Sequence, residues 1–253
     1  MSHITRRISS WFRARRDERL KALIANTPRS GETLKIIDIG GSISYWQRIG
    51  VDFLKNHKVR IDLVNLSDDE FYRSADDDRI FSCIIGDARA TGLPDMSYDL
   101  CHSNSVIEHV GLWWDFECCA NEIRRIAPVY YVQTPNFWFP VDPHFWRWPT
   151  IHWLPRPVRI RLIQMLPLAF SGRAPDYRTA CEFADDARLL NRAQMRCLFP
   201  EAELHTERFL LLAKSFIAIG RGGNGGSANG PHARKARDLP QRSSRRGIST
   251  RAG

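Results

Sequence analysis

The sequence is poor in cysteine and lacks any pattern that would pair it. Six cysteines occur among 253 residues, without a C-x-x-C pair and without a histidine at metal-site spacing. We therefore expect buried, reduced thiols and no metal site. The chain also lacks an apolar run long enough to span a bilayer and lacks a signal-peptide pattern. These absences argue against disulfide-rich, zinc-finger-like and membrane-spanning proteins and indicate a cytoplasmic one.

The middle of the chain lacks a net positive charge. The net charge is +9, but residues 1–35 carry nine Lys and Arg against three Asp and Glu, and residues 221–253 carry eight against one. Residues 36–220 therefore carry a net charge of −4. An enzyme acting on nucleic acid normally has its basic surface on the folded domain. We therefore expect no specific nucleic-acid partner.

The stretch Leu34–Ser44, LKIIDIGGSIS, predicts a short buried strand that ends at Asp38 and the pair Gly40-Gly41, before a helix. A strand that turns into a helix through small residues presents backbone N–H groups at the carboxyl edge of a sheet. Ligands bind at that edge in open α/β sheets, and glycine lets the backbone approach them closely. An ordinary strand-turn-helix connection without a ligand is the alternative.

Four further apolar runs end in polar or small residues. They are KVRIDLVNLS at 58–67, SCIIGDA at 82–88, YDLCHSNS at 98–105 and VYYVQT at 129–134. Helical patterns lie between several of them, which favours a doubly wound, mostly parallel α/β sheet. Helices are expected at 111–125, 156–170 and 184–199, and two closing strands at 203–212 and 215–220.

These motifs resemble those of the class I S-adenosylmethionine-dependent methyltransferases, in the small-molecule branch known as type 11. The resemblance covers 36–136, through IIDIGGSIS, LVNLS, IIGDA and YDLCHSNSVIEHV, and extends more weakly to 194–220. It implies a seven-stranded, Rossmann-like sheet with a terminal antiparallel hairpin, and S-adenosylmethionine (SAM) as cofactor. The cofactor-binding residues that it implies are Asp38, Gly40, Gly41, Ser42, Asn65, Leu66, Asp87, Ala88, Ser103 and Asn104.

The resemblance also implies roles for these residues. Asp38 and Gly40 would hold the methionine part, and Asp87 would accept from the adenine amine beside the Ala88 N–H. Asn65 stands where the family usually has an acid that binds both ribose hydroxyls, and an amide accepts without charge. Serines replace two of the family's glycines in the loop. A dinucleotide-binding fold is disfavoured, because the first predicted strand is followed by Gly41-Ser42-Ile43-Ser44 and not by G-x-G-x-x-G.

Two histidines are candidate bases for a hydroxyl acceptor. His144 is the first, because it lies in the aromatic, proline-rich stretch NFWFPVDPHFWRWPTIHWLPRPVR that begins at Asn136. His109, in SNSVIEHV, is the second; alternatively, Glu108 caps a helix and His109 packs against it. The aromatic stretch predicts a lid over the crevice, with a rigid plug or a dimer contact as alternatives.

The predicted organisation has three parts: a basic amphipathic helix within 1–33, a methyltransferase domain at 34–220 with a lid insertion at 136–180, and a disordered basic tail at 221–253. The first helix either contacts an anionic membrane surface, at the inner face, or packs on the domain. The predicted function is methyl transfer from SAM to a small-molecule oxygen, in a sugar, a lipid-linked molecule or another metabolite. A noncatalytic nucleotide-binding or scaffold protein is the alternative.

Overall fold

The described part of the chain forms one seven-stranded sheet in the order β3-β2-β1-β4-β5-β7-β6. The computed structural model describes residues 3–67, 80–145, 148–168 and 172–221, without the side chains of residues 3–9 and 11. The pairs β1-β2, β1-β4 and β2-β3 are parallel, and β6-β7 is antiparallel. The predicted fold class is thereby confirmed. The strands are β1 (Leu34–Ile39), β2 (Val59–Asn65), β3 (Phe81–Ile85), β4 (Leu100–Asn104), β5 (Val129–Pro135), β6 (Glu203–Phe209) and β7 (Leu212–Arg221).

Helices and short 3₁₀ turns connect these strands. Among the described helices, none combines the length and the apolar composition needed to cross a bilayer. The 3₁₀ turns are Ile107–His109, Pro143–Phe145 and Ile151–Trp153. The α-helices are α1 (His3–Asn26), α2 (Ile43–Asn56), α3 (Trp113–Ile126), α4 (Arg156–Met165), α5 (Tyr177–Asp185) and α6 (Arg192–Leu198).

The chain divides into two compact units. Within the described residues, unit 1 contains 3–67, 80–104, 118–131 and 220–221, and unit 2 contains the remainder. The core of unit 1 is built on β1, where every residue except Lys35 is buried, as expected for a central strand covered on both faces. Four apolar residues of α1 are also buried: Phe12, Leu20, Leu23 and Ile24.

Those four buried side chains of α1 belong to the core and are not available to a membrane surface. Membrane contact by the remainder of the helix stays a prediction. The predicted boundary at residue 33 also stays a prediction, although α1 lies within unit 1. The predicted disordered tail lies outside the described residues, except for Arg221.

Unit 2 has its own apolar cluster. Its buried members are Phe145, Ile151, Ile160, Ile163, Leu168, Ala174, Ala180 and Ala184. The aromatic, proline-rich stretch contributes Phe145 and Ile151 to this cluster, whereas its residues Trp138, Trp148 and Trp153 are exposed. Whether it acts as a lid stays a prediction.

Two helix predictions were wrong. The helix expected at 156–170 ends at Met165, two residues before Pro167, because the residue that precedes a proline is disfavoured in helical geometry. The helix expected at 184–199 is shorter: α6 begins at Arg192 and ends at Leu198, and residues 184 and 185 are the end of α5, which begins at Tyr177. Asp176 caps α5 by accepting from the Thr179 N–H at 2.8 Å, and Asn191 forms a capping box with Gln194 at α6.

Candidate functional site

The loop after β1 exposes bare backbone at Gly40 and Gly41. Gly40 has a φ of 71°, in the left-handed region that glycine adopts without strain. Its N–H donates to the Val64 carbonyl at 2.7 Å, which ties the loop to the end of β2. A Cβ atom on Gly41 would lie 1.7 Å from a carboxylate oxygen of Asp38. Glycine is therefore required at residue 41 as long as Asp38 keeps its position.

Asp38 lies at the strand tip, but its carboxylate faces the interior. Only 1% of the residue is exposed. The Trp46 indole donates to Oδ2 at 2.7 Å, and His102 Nδ1 lies 2.6 Å from Oδ1. This differs from the expected contact with the methionine part of SAM, because both oxygens already accept within unit 1. In this structure Asp38 supports the glycine loop from its buried side.

His102 continues this network to Tyr45. With its Nδ1–H donated to Asp38, the ring has a bare Nε2 that accepts from the Tyr45 hydroxyl at 3.2 Å. Burial raises the pKa of Tyr45 well above its ordinary value, so the phenol keeps the proton that it donates. The His102 ring also stacks on Tyr131, with centroids 5.5 Å apart. Every polar atom of the Asp38–His102 pair therefore has a partner.

Ser42 and the residues around it begin α2. The Ser42 hydroxyl accepts from the Tyr45 N–H at 3.4 Å as the N-cap and shares a hydrogen bond of 3.1 Å with Ser44. Capping satisfies a backbone donor that the first helical turn leaves open. Ser42 therefore has a local structural role that the sequence comparison with a glycine-rich loop did not reveal.

The end of β2 lies beside this loop and presents both a polar and an apolar group. The Asn65 side chain donates its amide N–H to the Gly41 carbonyl at 2.9 Å. Its own carbonyl oxygen has no hydrogen-bond partner within the described ranges. Leu66 is 62% exposed, and Ile85, the register partner of Asn65 on β3, is exposed to the same extent. Exposed apolar side chains next to a free acceptor are suited to a nucleoside.

Asp87, after β3, forms an ion pair with Arg89, with 2.6 Å between Oδ2 and Nη2. Burial raises the pKa of Asp87, but the hydrogen bonds and charge of Arg89 outweigh it and hold the value below the ordinary range. The carboxylate is therefore ionised and remains an acceptor. Ala88 follows it and is partly exposed.

The two remaining predicted cofactor residues end β4. Ser103 is fully buried, and its hydroxyl has no hydrogen-bond partner among the residues that the structure describes. Asn104 is partly exposed and accepts from Arg16 of α1 at 3.3 Å. Unit 1 thus contains all ten predicted cofactor residues, but it turns Asp38 and Ser103 inward.

The predicted bases form a second polar cluster, in unit 2. His144 Nε2 and His109 Nε2 lie 3.1 Å apart. Together with Glu108, they offer three ligand-type atoms that all lie within 4.8 Å of one another. The structure therefore brings both predicted bases together, along with the carboxylate that the sequence suggested as a helix cap.

Burial and neighbouring charges shift the pKa of two residues in this cluster. Burial raises the pKa of Glu108, which is 1% exposed. For His144, burial lowers the pKa, but the hydrogen bond and charge of Asp142 outweigh it and leave the pKa above the ordinary value. Asp142 Oδ1 lies 2.7 Å from His144 Nδ1.

Sequence reasoning missed several residues that build both clusters. The sequence pattern places His102 in a strand and Trp46 at the start of a helix, and it places Asp142 in the aromatic stretch. Spacing along the chain gives no signal for contacts such as Asp38 with His102. The D-x-H pattern of Asp142 and His144 was readable, because an acid two residues before a histidine can fix its tautomer.

A cavity of about 240 Å³ in unit 2 also contacts Asp142. Its lining combines apolar side chains with the cations Arg159 and Arg188. Burial lowers the pKa of Arg159, and its Nε atom has no hydrogen-bond partner among the described residues. The cavity is large enough for a small organic molecule.

Residues 40–128 match the family described as a methyltransferase domain. This range begins at the glycine loop and ends after α3, so it includes the strand ends β2, β3 and β4. A comparison with curated proteins finds no match.

Solved methyltransferase structures have the same fold at low sequence identity. The magnesium protoporphyrin IX methyltransferase from Synechocystis PCC 6803, solved with bound SAH, is 10% identical over 88% of this chain and 89% of its own, with a TM-score of 0.51. The CMeT domain of the citrinin polyketide synthase is 10% identical over 84% of this chain and 53% of its own, with a TM-score of 0.52.

The CurJ carbon methyltransferase is 14% identical over 81% of this chain and 54% of its own, with a TM-score of 0.51. The chain thus spans about half the length of the first structures that it matches, at 48%, 54% and 56%. At these identities the likeness describes the fold.

Proposed function

We propose that the chain, whose residues 40–128 match a methyltransferase domain family, transfers a methyl group from SAM to an oxygen of a small molecule. The acceptor is a sugar, a lipid-linked molecule or another metabolite. The observation that carries the proposal is the hydrogen bond from Asn65 to the Gly41 carbonyl. It joins two strand ends into one surface of bare backbone, a free amide oxygen and exposed apolar side chains.

The residues of unit 1 fit the chemical groups of SAM. The exposed backbone of Gly40 and Gly41 accommodates the methionine part, and the Asn65 carbonyl oxygen accepts from a ribose hydroxyl. Leu66 and Ile85 offer an apolar surface to the adenine ring, and Asp87 accepts from its amine. When bound, SAM supplies a methyl group on a sulfonium centre, which is a good leaving group and needs orientation more than activation.

An oxygen acceptor must lose a proton as the methyl group arrives, and we assign this task to His144 with His109 as its neighbour. Asp142 holds the His144 ring through Nδ1, which leaves Nε2 as the reactive atom. A base held by a carboxylate in this way is a recurring arrangement in general-base catalysis. The histidines act either directly or through a bound cation.

A noncatalytic nucleotide-binding protein is the second candidate. One observation favours it: the Asp38 carboxylate is fully used inside unit 1 and is not free to bind the methionine part of SAM. This candidate predicts SAM binding without turnover on any acceptor.

Isotope-labelled SAM incubated with fractionated cell extracts tests the function. We expect label in a small-molecule fraction, with Gly41→Ala protein as the negative control and Gly31→Ala as the matched control, since a Cβ on Gly31 meets no atom within 4 Å. A loss of labelling with His144→Ala, together with unchanged SAM binding, assigns the histidine to the chemical step. Full turnover by His144→Ala on the true acceptor removes it from the mechanism.

A further inference from the structure

The cluster of Glu108, His109 and His144 contains a buried carboxylate, and only one of its two oxygens has a hydrogen-bond partner among the described residues. Glu108 Oε2 accepts from the Thr134 hydroxyl at 2.9 Å. Glu108 Oε1 is buried and has no hydrogen-bond partner within the described residues. A buried carboxylate oxygen without a partner is costly, so its position indicates a missing positively charged or donating group.

The Nε2 atoms of the two histidines face each other, while each Nδ1 has another partner. His144 Nδ1 lies 2.7 Å from the Asp142 carboxylate, and His109 Nδ1 lies 3.0 Å from the Asp186 backbone carbonyl. Neither an ionised carboxylate nor a carbonyl donates a hydrogen bond, so each Nδ1 carries the proton. In their neutral forms both rings therefore direct a bare Nε2 at the other across 3.1 Å.

Two acceptor atoms at that distance need a positive centre between them. A single shared proton would satisfy the two nitrogen atoms, but it would leave Glu108 Oε1 without a partner. A divalent cation satisfies all three. Nitrogen ligands at about 2.0–2.1 Å from a tetrahedral zinc ion lie roughly 3.3–3.4 Å from each other, and the observed separation of 3.1 Å is slightly shorter than that.

We infer that Glu108, His109 and His144 bind one divalent transition-metal ion. Two imidazoles and one carboxylate form a ligand set typical of zinc and of non-haem iron. Asp142 and the Asp186 carbonyl have the supporting role that carboxylates and carbonyls commonly have behind metal-bound histidines. The carboxylate and the nitrogen atoms are within 4.8 Å of one another, so a small side-chain adjustment brings all three to one ion.

The consequence for activity rests on the proposed function, whereas metal binding itself does not. Three protein ligands leave a coordination position open for an oxygen atom. A cation lowers the pKa of a bound hydroxyl, so the acceptor proton leaves to solvent without a free imidazole base. The oxygen then forms its bond to the methyl carbon as the carbon–sulfur bond breaks, and the sulfur keeps the electron pair.

Metal binding is measured on the full chain, purified without a histidine tag and treated with a chelator. We expect calorimetry with Zn²⁺ to give a single tight site per chain, and Co²⁺ to develop the visible absorption of a site with nitrogen ligands. His109→Ala and His144→Ala should each weaken Zn²⁺ binding at least about 100-fold, and Asp142→Asn by about 10–100-fold. His57→Gln is the matched control, because His57 ends α2 in unit 1, and it should bind as the natural chain does.

Glu108→Gln covers the case in which a histidine variant fails to fold, because the amide keeps the shape and the Thr134 contact but loses the charged ligand. It should also lose the Co²⁺ spectrum. If the natural chain binds Zn²⁺ no more tightly than about millimolar, or if the ligand variants bind as well as His57→Gln, the metal site is disproved. SAM calorimetry on the same metal-free protein separates this outcome from a failure of the proposed function.

Discussion

Each unit contains a cluster in which histidine lies beside a buried carboxylate, and the two clusters differ in how many of their polar atoms have hydrogen-bond partners. In unit 1, Asp38 accepts from both Trp46 and His102, and the second nitrogen of His102 accepts from Tyr45. In unit 2, one oxygen of Glu108 has no hydrogen-bond partner in the part of the chain that the structure describes, and the facing nitrogens of His109 and His144 both lack a proton in the neutral state.

Each cluster joins histidine to a carboxylate residue that is 1% exposed, although His102 is buried and His109 is exposed. The burial of the carboxylate therefore does not distinguish a supporting network from a binding one. The number of donors and acceptors that have hydrogen-bond partners does distinguish them. A closed network fixes a loop in place, whereas an open one indicates that a further group completes it.

The largest expected effect comes from neutralising each carboxylate in turn. Asp38→Asn removes the charge that two donors share and places an amide N–H₂ against one of them, so we expect a loss of about 2–3 kcal/mol in the free energy of unfolding. Glu108→Gln relieves a half-satisfied buried charge, so we expect a change of less than about 1 kcal/mol in metal-free protein. Chemical denaturation measures both. Equal losses for the two variants would contradict the distinction between closed and open clusters.

Gly41→Ala tests whether the Asp38 cluster supports the cofactor loop. The new Cβ would overlap the Asp38 carboxylate, so either the loop or the carboxylate must move. We expect SAM affinity to fall at least about tenfold, which corresponds to about 1.4 kcal/mol. Gly31→Ala is the control, and calorimetry is the measurement. Unchanged affinity in Gly41→Ala would show that the loop is not part of the cofactor site.

Glu122 provides a third buried carboxylate, with a closed set of partners, and it predicts a pH dependence. Burial raises its pKa, but hydrogen bonds from Arg125 and Thr91 outweigh this and hold the pKa below its ordinary value. A depressed pKa contributes stability above the unfolded value of about 4.3, and this contribution is lost as the pH falls through the folded value.

Glu122→Gln should therefore be less stable than the natural chain by about 1–2 kcal/mol near pH 7. The difference should shrink below about pH 4, because the natural chain then loses the same ion pair. Denaturation curves at several pH values measure it. A difference that stays constant down to pH 3 would show that Glu122 does not act through its charge.

The smallest effect is expected at Asn65, where the family that the chain resembles usually has an acid. The amide donates to the Gly41 carbonyl at 2.9 Å, and a carboxylate would face that carbonyl as a second acceptor. Asn65→Asp should therefore lower the free energy of unfolding by about 1 kcal/mol, in spite of its resemblance to the family. A variant as stable as the natural chain would show that the amide contact is unimportant.

The sheet was predictable from the sequence because its strands are short apolar runs that end in polar or small residues. The ten predicted cofactor residues fall in unit 1 for the same reason: parallel strands in one sheet bring their carboxyl ends to one edge. The resemblance supplied what pattern alone did not, namely the strand count and the cofactor.

The direction of each side chain was not predictable. Asp38 faces inward because His102, 64 residues later on the neighbouring strand, offers a donor at the register position of Asp38. The expectation of no metal site followed from searching for local cysteine and histidine spacing. Glu108 and His109 lie 35 residues and more before His144, and only the folding of unit 2 brings them together.

Calorimetric titration of the full chain with SAM and SAH tests the central claim most directly. The account predicts that both bind well below millimolar concentration, as is usual for enzyme substrates, and that Gly41→Ala weakens both while Gly31→Ala does not. Failure of either molecule to bind at millimolar concentration to folded protein would contradict the assignment of these strand ends as a cofactor site.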